Sequence, residues 1–92
     1  MLSLDDVLIA SEQIVTREAE GELVVVLPEK GKYVVLNPTG AQIVQLADGE
    51  RTLGEIAVEI AEQFDADLSR VQTDVLTFAQ DLSARGVLIP RS

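Results

Sequence analysis

Asp65, Asp67 and Asp74, with Glu55, Glu59 and Glu62, are the side chains of this sequence that come nearest to a chemical constellation. Closely spaced carboxylates hold calcium when oxygen ligands alternate around a central glycine and end on a glutamate. The aspartates lack that glycine and that glutamate, so Asp67 reads as a helix N-cap and Asp65 as a turn residue. The glutamates fall on one helical face without basic partners four residues on, which reads as a solvated surface. The chain has no histidine and no cysteine. That removes the commonest general base, the imidazole metal ligand, the thiolate nucleophile and any disulfide framework. A glycine-rich phosphate loop, a Gly-x-Ser-x-Gly elbow and a His-Glu-x-x-His pattern are also missing. The expectation is a non-enzymatic protein with no metal site and no cofactor, whose work is binding.

Two stretches are suited to binding. Lys32, Tyr33, Val34, Val35 and Leu36 form a short strand with Val34 and Leu36 on one face and Tyr33 and Val35 on the other. Both faces are apolar, so helices cover one and something else touches the other. If the strand lies at a sheet edge, its unpaired N–H and C=O groups can accept a peptide as a further strand. The second stretch is the longest helix, with a core stripe of Leu68, Val71, Val75, Phe78 and Leu82. Placing Val71 at zero, that stripe spans roughly −20 to 80 degrees at 100 degrees per residue, and Gln72, Ser83 and Leu76 follow between roughly 100 and 140 degrees. Leu76 and Ala79, flanked by Gln72 and Ser83, are therefore expected to form the opposite wall of a groove. Lys32, at the mouth of the strand, is placed to meet an acidic residue of the peptide.

The elements that must position these residues follow from turn chemistry and periodicity. Ser11 to Ala19, Leu23 to Leu27 and Lys32 to Asn37 read as strands separated by Glu20-Gly21-Glu22 and Pro28-Glu29-Lys30-Gly31, giving a three-stranded antiparallel meander. Asn37 and Pro38 stop the third strand. Thr39 with Gln42, and Thr52 with Glu55, have capping-box spacing, and Gly49 suits the left-handed close of a helix. The period then changes to 3.6, predicting helices over Thr39 to Asp48, Leu53 to Phe64 and Leu68 to Arg85. Gly86 ends the last helix, and Val87 to Ile89 is a short strand or a buried tail. The expected fold class is α+β and winged-helix-like: an N-terminal three-stranded antiparallel sheet followed by a three-helix bundle, in one domain over residues 1–92.

Composition bounds the partners. Of 92 residues, 47% are hydrophobic and 25% charged, which is ordinary for a globular domain, but the net charge is −9. Nucleic-acid binding relies on lysine and arginine at phosphates. Here Arg17, Lys30, Lys32, Arg51, Arg70, Arg85 and Arg91 are scattered among acids. A winged-helix DNA-binding role for the third helix is one alternative, but Asp67, Asp74 and Asp81 would repel the phosphates beside Arg70 and Gln72. No nucleic acid and no membrane partner is expected, since no apolar run approaches the roughly 18–20 residues of a span. The N-terminus has no signal-peptide pattern, so a cytoplasmic location is expected. A dimerising accessory subunit, exchanging strands or helices between copies as a homodimer, is the other alternative.

The series Tyr33-Val34-Val35-Leu36-Asn37-Pro38-Thr39-Gly40-Ala41, with Ile43 and Leu46, resembles the PqqD family, the small peptide chaperones of pyrroloquinoline quinone (PQQ) biosynthesis. Asp48-Gly49-Glu50-Arg51-Thr52, Glu55-Ile56, Phe64, Asp74-Val75 and the helix end at Gly86 continue the likeness from about Val15 to Ile89. More broadly it resembles the RiPP recognition elements, which bind leader peptides of ribosomally made, post-translationally modified peptides. The resemblance implies a single PqqD-like peptide-binding domain, in which a precursor leader peptide pairs along the third strand and lies against the third helix. It also implies delivery of that peptide to a modifying enzyme, often a radical S-adenosylmethionine enzyme.

Overall fold

The β-branched run from Leu23 to Leu27 lies at the centre of one sheet, and the turns on either side fix its neighbours. The computed structural model describes residues 2–91. Its strands and helices run β1 (Val7–Ala10), β2 (Val15–Ala19), β3 (Glu22–Leu27), β4 (Lys32–Leu36), α1 (Pro38–Leu46), β5 (Asp48–Thr52), α2 (Leu53–Phe64), α3 (Leu68–Ala84) and β6 (Leu88–Pro90). Glu20 and Gly21 both take positive φ, 52° and 84°. Two successive left-handed residues match the twist of the flanking strands and close β2 onto β3. A single 3-10 turn, Pro28–Lys30, followed by Gly31 at φ 63°, closes β3 onto β4. The order is β2-β3-β4 and every pair is antiparallel.

Register puts one face of this sheet inside. Leu23 pairs with Leu36 and Val25 with Val34, and Leu23, Val25, Leu27 and Leu36 are buried. The other face carries the row Val15–Val26–Tyr33, with Tyr33 70% and Val35 47% exposed. The apolar second face expected from the sequence is therefore present and open.

A second sheet, β5-β1-β6, was not anticipated from the sequence. Its central strand is the N-terminal Val7–Ala10, with Val7 opposite Thr52 and Ile9 opposite both Asp48 and Ile89. The fold is thus α+β with two three-stranded antiparallel sheets and three helices, rather than one sheet followed by helices. Gly49 does not close α1. It lies within β5 at φ 83°, buried against Ile9, where an added Cβ would approach Ile9 Cδ1 to 3.3 Å. The side chain of Arg91 donates to the Gly49 carbonyl at 2.8 Å and ties the far edge of the sheet.

The helices keep their expected positions with one change of cap. Asn37, not Thr39, caps α1: its side-chain oxygen accepts from the Gly40 amide at 2.8 Å, and Pro38 occupies the first turn. Gly40 is buried, and a Cβ there would stand 3.3 Å from the Leu36 Cβ, so α1 turns tightly away from the end of β4. Thr52 and Glu55 form the expected reciprocal capping box on α2. Asp65, left-handed at φ 50°, ends α2, and Asp67 caps α3. Ile43, Leu53, Ile56, Ile60, Val75, Leu82, Val87 and Leu88 make a continuous core between the helices and both sheets. Burying a side chain of this size contributes roughly 1.5–3 kcal/mol.

Candidate functional site

β4 is an edge. Its inner neighbour is β3, and no strand among the described residues pairs with its other side. In an antiparallel strand alternate residues turn N–H and C=O outward, so this edge presents a row of unpaired backbone groups. Lys32, Tyr33, Val34, Val35 and Leu36 all lie on it, as the sequence indicated. Val34 is half-buried on the inner side and Leu36 is buried. β2 is the opposite edge, but it carries Arg17 and Glu18, and Gln45 of α1 donates to the Glu18 carboxylate at 3.1 Å. Charged and tethered, β2 is guarded in a way that β4 is not.

Two clefts show which part of α3 runs beside β4. One, of about 450 Å³, is lined by Leu27, Lys30, Gly31, Lys32, Tyr33, Val34, Ala84 and Arg85. It brings the start of β4 against the end of α3. The other, of about 370 Å³, lies where the start of α1 (Thr39) and the end of α2 (Ile60, Phe64) meet Arg70, Val71 and Asp74 of α3. Strand and helix therefore run alongside one another in opposite directions. The lengths agree: five strand residues span about 16 Å, and the rise from Asp74 to Arg85 is about 17 Å.

This placement favours a different wall from the expected one. Neither cleft is lined by Gln72, Leu76, Ala79 or Ser83. Ala79 is fully buried in the core. Leu76 lies nine residues from Arg85, which at 100 degrees per residue puts it on the opposite side of the helix. Gln72 and Ser83 are half-buried on that same far flank. The flank beside β4 instead carries Asp74, Phe78, Asp81 and Arg85, with Phe78 half-buried against the core. The helical wheel places Phe78 within the core stripe but at its edge, and that edge position is the signal in the sequence. Leu76 and Phe78 stand at opposite edges of the core stripe, and only the placing of the sheet against α3 decides which of them borders the groove.

The charges near β4 are uneven. Lys30 donates through its Nζ to the Arg85 carbonyl at 3.3 Å, across the end of α3. Arg85 Nε lies 3.1 Å from an Asp81 carboxylate oxygen. Three of the six acids that suggested a cation site are engaged otherwise: Asp67 and Glu55 in helix caps, Glu59 with Arg51 at 3.1 Å. Among the described residues no group of three or more acidic side chains is arranged to hold a metal ion. Asp48 is held below its ordinary pKa of 3.8, first by the Arg51 amide and then by the Glu50 amide. It lies on β5, in the other sheet. No helix among the described residues is long and apolar enough to cross a membrane.

The chain matches the family model for coenzyme PQQ synthesis protein D (PqqD) over residues 22–88. A Rhizobium meliloti (strain 1021) protein named PqqA binding protein is 43% identical to it over 68 residues, 74% of this chain and 67% of its own length. The solution structure of the PqqD truncation of Methylobacterium extorquens PqqCD, a stand-alone RiPP recognition element, is similar at TM-score 0.81 and 25% identity. That match covers 97% of this chain and 95% of that one. TbiB1, solved in complex with the TbiA(beta) leader peptide, has the same fold at TM-score 0.77 and 24% identity, over 87% of this chain and 93% of its own. A family model that spans both β3–β4 and all three helices settles the assignment: this chain belongs to the PqqD family.

Proposed function

We propose that the domain is a non-catalytic recognition element that takes the leader region of a ribosomally made precursor peptide as an added strand on β4. Peptide backbone pairs with the outward N–H and C=O groups of Lys32 to Leu36. Alternate peptide side chains enter the groove between β4 and α3, where Val34 and Phe78 offer apolar surface. The bound peptide is then presented to a modifying enzyme, a radical S-adenosylmethionine enzyme being the class the family resemblance suggests. The three helices and the second sheet serve as a winged-helix-like body that holds the groove. The observation that carries this reading is the open edge of β4, apolar from Tyr33 to Leu36 after a single lysine, lying beside α3 with a cleft near each end. Two further findings support it: the Rhizobium meliloti relative is named for binding PqqA, and the fold occurs with a leader peptide bound in TbiB1.

The test is calorimetric titration with the leader segment of the precursor peptide encoded beside the gene. One-to-one binding that weakens when the peptide carries N-methyl groups at alternate residues is the expected result, because methylation removes the ladder hydrogen bonds. Binding indifferent to N-methylation would exclude strand addition.

A further inference from the structure

Three of the chain's seven basic residues meet at one end of the groove. Lys32 begins β4, Lys30 closes the turn before it, and Arg85 follows the last turn of α3; all three line one cleft. In a chain of net charge −9 this is a local reversal of sign. Lys30 is fixed there by its bond to the Arg85 carbonyl, at the negative end of the helix dipole. An ammonium has three donors, so two remain for a ligand. Neither Lys30 nor Lys32 forms an ion pair among the described residues. The acids nearby are Asp81, paired with Arg85, and Glu12 and Glu29, which line the adjoining cleft beyond Lys30. At the other end of the groove the balance is reversed, with Asp67 and Asp74 beside a single cation, Arg70.

We propose that this charge gradient sets the direction and register of the bound peptide. An aspartate or glutamate just C-terminal to the paired segment sits in the cleft of Lys30, Lys32 and Arg85. The inference rests on the strand-addition reading. The sense the gradient selects is antiparallel, the sense of every pairing already in both sheets. Because Lys32 is the first residue of β4, an antiparallel partner places its C-terminal end there. A peptide entering in the parallel sense would carry the same acid to Asp67 and Asp74, where like charges repel it. Such gradients decide orientation and partner choice more than they add affinity.

Selection from a phage-displayed library of random peptides of roughly 15 residues, long enough to outrun β4 at both ends, tests this. The peptides are fused through their C-termini, so no free terminal carboxylate takes part. The wild-type domain is expected to enrich an alternating apolar core followed by Asp or Glu. Changing that acid to its amide in a selected peptide weakens binding roughly two- to fivefold, by analogy with partly exposed ion pairs, and the effect fades as salt approaches about 0.5 M. Lys30→Glu, at an exposed turn position outside β4, abolishes the preference for the acid while retaining the apolar core. An apolar core with no acidic preference, with the acid on its N-terminal side, or with the preference intact in Lys30→Glu, overturns the charge reading alone. A library that yields no binder overturns strand addition itself, and the charge reading with it.

Discussion

Replacing Phe78 and Leu76 separately by alanine distinguishes the two flanks of α3. Both side chains are half-buried and pack against the core, so each change is expected to cost about 1–3 kcal/mol of stability. Their effects on binding differ. By helical geometry Phe78 falls on the same flank of α3 as Asp74 and Arg85, and a half-buried phenylalanine there leaves on the order of 50 Å² of a roughly 200 Å² side chain for a ligand. Covering that area, and an equal area of peptide, is worth about 2.5 kcal/mol at about 25 cal/mol per Å². Ordering of side chains offsets about 1 kcal/mol of this, leaving roughly a tenfold change in Kd. Leu76, on the far side of the helix, is expected to change Kd by less than about twofold, within the scatter of distant substitutions. The assay is calorimetric titration of each variant with a peptide selected on the wild-type domain, below the melting transition of the weaker variant. A tenfold loss in Leu76→Ala with Phe78→Ala unchanged would refute the assignment of the groove and restore the wall expected from the helical wheel.

Gly49→Ala is expected to lose about 1–2 kcal/mol, because the residue sits at φ 83° with Ile9 Cδ1 in its way; a fall in Tm of roughly 5–15 °C checks it. Thr52→Ala breaks the capping box that starts α2 and is expected to cost about 1 kcal/mol, read from the denaturant midpoint. Asp48 predicts a pH dependence. Its carboxyl is held low in the folded state by the amides of Arg51 and Glu50. A depressed group adds stability above its unfolded pKa and loses it as pH falls through its folded pKa. The stability gap between wild type and Asp48→Asn is therefore expected to be full at pH 7 and to shrink below about pH 4. A gap that stays constant to pH 3 would contradict this.

The sequence carried the first sheet and the helices because their signals are local. β-branched runs broken by Gly21 and Gly31, the Asn37-Pro38 stop, and a 3.6 period from Leu53 to Leu82 each act over a few residues. The second sheet was invisible for the opposite reason. β5 reads Asp-Gly-Glu-Arg-Thr, with no β-branched run, and is a strand only because β1 pairs with it from some 40 residues away. The same long-range pairing turned Gly49 from an expected helix cap into a strand residue. Within the groove, β4 was legible because an apolar edge strand has its own pattern. The opposite wall was not, because the choice between Leu76 and Phe78 depends on where the sheet docks against α3. Lys30 and Arg85 lie far apart in sequence and meet only through the turn that ends α3.

Amide hydrogen exchange of residues 32–36, with and without bound peptide, bears most directly on strand addition. Slowed exchange at alternate β4 amides, with the β2 amides unaffected, is the predicted result. Protection confined to β2, or peptide binding that leaves every β4 amide exchanging at its free rate, would contradict it.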